Sequence, residues 1–184
     1  AGDALASASV RLLRSLAFES LDTAHDIDQL KRVWAQFDPV DRRDGFVAAR
    51  AADRASALGA YEDARAWLRP FWDAPGEIGP EERAAVSLGL VSAIKGLGPE
   101  WLPRLEAGAT AFAREGAVAL AVGSALAERQ LWGKARLLLE QAANDTALAS
   151  GPRRKAWLAL ANLAQQEGDE IRAARCFEFA ARLG

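Results

Sequence analysis

A single cysteine, Cys176, and a single histidine, His25, are all that the chain offers of the two residue types that most often build metal and nucleophile sites. One cysteine excludes an intrachain disulfide and a cysteine-based metal cage, so the fold must hold by packing. Long apolar runs are also missing. The longest, AVALAVGSALA at residues 117 to 127, is far short of the roughly 18 to 20 residues that cross a bilayer and is expected to be a buried helix. There is no basic excess, with 23 Lys and Arg against 25 Asp and Glu and a pI near 5.6, so no global field calls for nucleic acid. Val, Ile and Thr together number 15, and no sustained apolar-polar alternation argues for a strand.

The 184 residues, 51% hydrophobic and 26% charged, suit one globular unit with a sizeable core. Ala, Leu, Arg and Glu dominate and lose little side-chain entropy in a helix, which favours an all-α fold. The chain begins at Ala1 with no signal-peptide pattern, and it is expected to be a piece of a longer protein whose upstream part carries any targeting information.

Helix starts are expected at Asp38-Pro39, Gly79-Pro80, Gly98-Pro99 and Gly151-Pro152, because a first helical residue tolerates losing its amide hydrogen. Loops are expected at residues 73 to 80 and 144 to 152. Pro70 is expected to end or kink the helix that begins near Ala60. Trp157, Leu160, Ala161 and Ala164 form one apolar face, and Ala173, Cys176, Phe177 and Ala180 another across a break at Gly168-Asp169, which reads as a helical hairpin. The pattern recurs at Ala64, Trp67, Leu68 and Phe71 and at Ala135, Leu138, Leu139 and Ala142.

Three segments align on this pattern: GAYEDARAWLRPF from Gly59, QLWGKARLLLEQA from Gln130 and GDEIRAARCFEFA from Gly168. With Trp157, Leu160 and Ala161 on a first helix and Ala173, Phe177 and Ala180 on a second, the chain resembles the tetratricopeptide repeat, a helix-turn-helix of about 34 residues. Ala164 departs from that pattern where it wants a tyrosine. The resemblance implies a right-handed superhelix of stacked antiparallel hairpins, with small residues where neighbours approach and large ones filling the space. The better-matched repeats cover about 45–74, 116–144 and 154–183 within one domain of 1–184, with a divergent repeat around residues 81 to 114. In this register Trp132 plugs a joint between hairpins beside Ala135, and Gly133 leaves room for a neighbour.

A second resemblance rests on LWGKAR followed by LLEQA, then AWLALANLAQQEG with a closing AAR, and on the upstream DQLKRVWAQFDPVDRRD. These are similar to the C-terminal part of the HemY-type family of haem-biosynthesis-associated membrane proteins, over most of residues 27 to 184. That likeness implies a parent in the bacterial inner membrane, with this domain on its cytoplasmic side, no catalytic residues and no bound cofactor. It further implies a scaffold whose partners are other proteins, enzymes of late haem synthesis among them. The alternative is a carrier of haem or porphyrin in a groove lined by Trp and Phe.

The remaining polar residues separate into packing and binding candidates. His25, among Asp22, Asp26 and Asp28, is expected in a solvated loop or helix start, the other reading being an axial haem ligand. Cys176 reads as a core residue without a nearby histidine base. Glu81 and Glu82 suit a helix N-terminus. RRD at 42 to 44 and PRRK at 152 to 155 are solvated faces or contacts for phosphate or an acidic partner; cations gain nothing from a helix start, which keeps a binding role open for PRRK. The first helix of each tetratricopeptide unit lines the concave groove, which points to Asp53, Ser124, Glu128, Lys155, Asn162 and Gln166 as partner-binding positions. Ala49 with Asp53, and Leu120 with Ser124, do not form the Lys and Asn pairs that clamp an acidic C-terminal tail.

Overall fold

The computed structural model describes residues 1 to 184, and the chain is all-α, with eleven helices and no strand. It divides into two compact units, Ala1–Ala93 and Ile94–Gly184. The N-terminal unit holds α1 (Gly2–Asp22), α2 (Ile27–Gln36), α3 (Pro39–Arg42), α4 (Gly45–Ala57), α5 (Tyr61–Asp73) and α6 (Pro80–Ser92). The C-terminal unit holds α7 (Leu102–Ala111), α8 (Gly116–Glu128), α9 (Trp132–Asn144), α10 (Ser150–Gln166) and α11 (Glu170–Arg182).

In the N-terminal unit α4 and α5 form an antiparallel hairpin, and α1, α2, α3 and α6 also pack on α4. A helix surrounded on so many sides must be thin, which accounts for the buried Ala48, Ala49, Ala51, Ala52 and Ala55. Its start is fixed by Asp44, whose carboxylate accepts from the Phe46 and Val47 amides at 2.9 and 3.4 Å and from Arg14 Nε at 2.8 Å. Glu82 of α6 accepts from the Gly45 amide at 2.6 Å, so that carboxylate serves a neighbouring helix and not a paired-acid site.

The C-terminal unit stacks the hairpins α8–α9 and α10–α11, with α7 against α8. The apolar run 117 to 127 is the buried α8, as its composition demands. Gly123 lets α9 approach closely there, since a Cβ would stand 3.0 Å from Leu139 Cγ. Ion pairs on the surface link α11 to α9 (Arg172 to Glu140 at 2.5 Å), α9 to α7 (Lys134 to Glu106 at 3.4 Å) and α9 to the end of α10 (Arg136 to Glu167).

The three aligned segments each begin at a residue with positive φ: Gly59 at 80°, Gln130 at 63° and Gly168 at 77°. After each, the next amide reaches a carbonyl five residues back, Ala60 to Ala55 and Leu131 to Leu126 at 2.8 Å, Asp169 to Ala164 at 2.9 Å. Each is a Schellman turn that ends one helix and starts its partner.

Several expectations are corrected. α5 runs through Pro70 to Asp73, so the proline does not end it, although its missing amide hydrogen takes from the Ala66 carbonyl its helical donor. α10 starts at Ser150, with Pro152 inside the first turn, where its missing amide hydrogen would have been an orphan in any case. Pro99 opens a short 3₁₀ turn, Pro99–Trp101, which leads into α7. The helices within residues 81 to 114 belong to different units, α6 packing with α4 and α7 with α8. Phe177 is 38% exposed and not a core residue, although its register equivalents Leu68 and Leu139 are fully buried. α9 is covered by both α8 and α10, whereas α11 packs on α10. Gly133 has open space where a Cβ would stand, and Trp132, the first residue of α9, is half-buried.

Candidate functional site

α10 brings Lys155, Asn162 and Gln166 to one exposed row. Residues at i, i+7 and i+11 stand almost directly above one another on a helix, and Ala156, Leu160, Ala161, Leu163 and Ala164 occupy the buried side. α8 packs against α10 and carries Ser124 and Glu128 one turn apart. Ser124 is half-buried, and the Glu128 carboxylate accepts from the Gly96 amide at 3.0 Å. Asp53 stands exposed on α4, in the N-terminal unit. The structure therefore places five of the expected residues on exposed surface and brings Lys155, Asn162 and Gln166 together on one helix.

The stacking residues of these hairpins have defined surroundings. Ala135, Ala173 and Ala180 are buried, and the Trp157 ring stacks on Phe179 with centroids 4.7 Å apart. Trp157 and Phe179 border a cavity of about 480 Å³ whose lining includes Glu140, Leu160, Arg172 and Cys176. Burial pushes the Cys176 thiol above its ordinary pKa, so at neutral pH it holds its proton.

His25 is exposed between α1 and α2, and its backbone amide donates to Gln29 Oε1 at 2.8 Å. Asp26 in turn accepts from the Gln29 amide at 2.8 Å, a reciprocal cap that starts α2. The acidic neighbours of His25 thus build a helix start. PRRK has a structural role as well: Arg153 Nε donates to the Ala143 carbonyl at 3.0 Å, in the last turn of α9, where carbonyls favour a cation.

A second cavity, of about 790 Å³, lies in the N-terminal unit. Trp34 of α2 and Trp67 of α5 stack in its lining with centroids 4.9 Å apart and planes 23° from parallel. Pro39, Pro70, Phe71 and Ile78 add apolar surface, and Arg42 and Arg43 of α3 bring positive charge. The wall at Ile78 is held from below by Arg83, a buried residue of α6 that donates to the Pro75 and Ile78 carbonyls at 3.0 and 2.6 Å. Asp41, beside the arginines, has its carboxyl raised by partial burial and by the neighbouring Asp38 and Asp44. By sequence pattern Trp67 is one residue of a packing stripe and RRD a charged run. Their meeting with Trp34 joins three separate helices, and nothing local in the sequence signals it. Neither cavity lining contains a histidine.

No group of three His, Cys, Asp or Glu side chains is arranged to hold a metal, and no helix is long and apolar enough to cross a membrane. No family model matches the chain, and no curated protein matches it. Among solved structures, it is similar to one described as "MamA MSR-1 C2", a tetratricopeptide-type protein, at 20% identity and a TM-score of 0.51, over 92% of this chain and 93% of that one. The likeness establishes a tetratricopeptide-type helical fold.

Proposed function

We propose that the chain is a non-enzymatic protein–protein interaction module whose contact surface centres on Lys155, Asn162 and Gln166 of α10. The exposed row of these three side chains carries the reading. Asn162 and Gln166, one turn apart, each present an amide donor and an acceptor, the chemistry that pairs with an extended peptide backbone. Lys155 adds a cation at the start of the row, Ser124 and Glu128 of α8 border it, and Asp53 is the corresponding polar position of the N-terminal unit.

The tie to late haem synthesis at the bacterial inner membrane rests on the LWGKAR to AAR motifs and the upstream DQLKRVWAQFDPVDRRD, and so does the cytoplasmic side of that membrane for this domain. Porphyrin carriage has weaker support, since neither cavity presents a histidine and the Cys176 sulfur keeps its proton.

A photo-crosslinking residue at position 162, activated in cells, tests both levels. Recovered partners that disappear with K155A/N162A/Q166A support the interaction surface, and haem-synthesis enzymes among them support the pathway tie. Recovery unchanged by the triple variant overturns the surface. Partners from unrelated processes overturn the pathway tie alone.

A further inference from the structure

The N-terminal unit holds a constellation that the α10 surface does not use. Arg42 and Arg43 share a cavity lining with the stacked Trp34 and Trp67, with Pro39 and Pro70, and with Ile78. Two arginines of this unit are engaged with acids, Arg14 with Asp44 at 2.8 Å and Arg50 with Asp22 at 2.6 Å. Arg42 and Arg43 have no such partner. Glu77 is the one carboxylate in the lining against two guanidiniums. The cavity therefore couples an indole and proline surface with two guanidiniums against one carboxylate in the lining.

We propose that this cavity binds an acidic peptide segment of a partner protein, with a proline or aromatic ring on the Trp34–Trp67 surface and an adjacent Asp or Glu on Arg42 and Arg43. Aromatic and proline surfaces accept rigid rings at small entropic cost, and a guanidinium pairs with a carboxylate through two parallel hydrogen bonds. The site is open, with Arg43 exposed and both tryptophans half-exposed. Small-ligand sites enclose roughly 70–90% of their ligand, so openness favours a peptide lying across the surface. Glu77 supplies an acceptor for a peptide amide. This assignment rests on reading the chain as an interaction module, but uses a site separate from α10.

The test is to pan a phage library of random ten-residue peptides against the 184-residue chain, against R42E/R43E and R42Q/R43Q, and against K155A/N162A/Q166A. Thermal melts by circular dichroism verify that each variant folds. The expected result is enrichment of peptides with Asp or Glu beside a proline or aromatic residue. Their affinity should fall at least tenfold in both arginine variants, remain in the α10 variant, and change tryptophan fluorescence on binding. Peptides without acidic residues, affinity unchanged in both arginine variants, or no selected peptide overturns the proposal. Arginine-dependent saturation by protoporphyrin IX with no selected peptide would also overturn it and assign the cavity to a small molecule. Peptides lost only in the α10 variant would remove this site and leave the interaction reading intact.

Discussion

Gln130 and Gly168 occupy the same backbone position in successive hairpins, both left-handed, at φ 63° and 77°. The amides of Leu131 and Asp169 that follow them close the same bond, to Leu126 and Ala164 at 2.8 and 2.9 Å. One site has a side chain where the other has none. A left-handed conformation costs an L-residue about 1–2 kcal/mol, part of which glycine gives back through the entropy of the unfolded chain. Gln130→Gly is therefore expected to stabilise the protein by about 0.5–1 kcal/mol, and Gly168→Ala to cost about 1 kcal/mol. Urea unfolding midpoints at constant m-value measure both, and destabilisation by Gln130→Gly would mean that its side chain contributes more than the turn suggests.

Gly123 and Leu139 set the separation of α8 and α9. A Cβ on residue 123 would lie 3.0 Å from Leu139 Cγ and 3.1 Å from Cδ2. Overpacking of this sort costs about 1–3 kcal/mol. Gly123→Ala should show that loss in the wild-type background and a smaller one on top of Leu139→Ala, where the space is vacant. A double-mutant cycle reads the coupling, and additive losses would show that the contact is not limiting.

Arg83 links the interior of the N-terminal unit to its cavity wall through the Pro75 and Ile78 carbonyls. Arg83→Ala removes hydrogen bonds from a charged donor, each worth about 1.5–3 kcal/mol. Global stability should fall by at least that amount, and amide exchange across residues 74 to 79 should quicken first. Unchanged exchange in that segment would separate Arg83 from the wall.

The Arg50 guanidinium, hydrogen-bonded to Asp22 at 2.6 and 2.9 Å, lowers the carboxyl below the usual range, against a smaller opposing effect of burial. A carboxyl depressed in the folded state adds stability that is fully present above its unfolded pKa, about 3.9. That stability is lost as pH falls through the folded value. Asp22→Asn should therefore cost under about 1 kcal/mol at pH 7, as expected for an exposed pair, and nothing once the pH is well below 3. Thermal melts between pH 2 and 7 should show the two proteins converging in acid. A constant difference across that range would assign the loss to packing.

Local patterns carried much of this fold in the sequence. The positions of Gly59, Gln130 and Gly168, each five residues before a buried alanine, mark the turns because a Schellman motif is written within a dozen residues. The same holds for the buried α8, whose composition allows no other placement. The exposed row of Lys155, Asn162 and Gln166 follows from helical period alone once the opposite face is apolar.

Other features depend on contacts between residues far apart in the chain. Phe177 has the sequence position of a core residue, yet its burial depends on whether a helix covers α11, as α10 covers α9. The α6 and α7 segments look like one repeat by spacing, but their packing partners place them in separate units. Trp34, Arg42 and Trp67 meet at one cavity because α2, α3 and α5 converge there. Periodicity reports which face of a helix avoids water, and so the sequence by itself determined the helices, their turns and their inner faces. Which outer faces stay open, and which distant side chains share a cavity, was decided by tertiary packing, because only packing assigns a neighbour to each face.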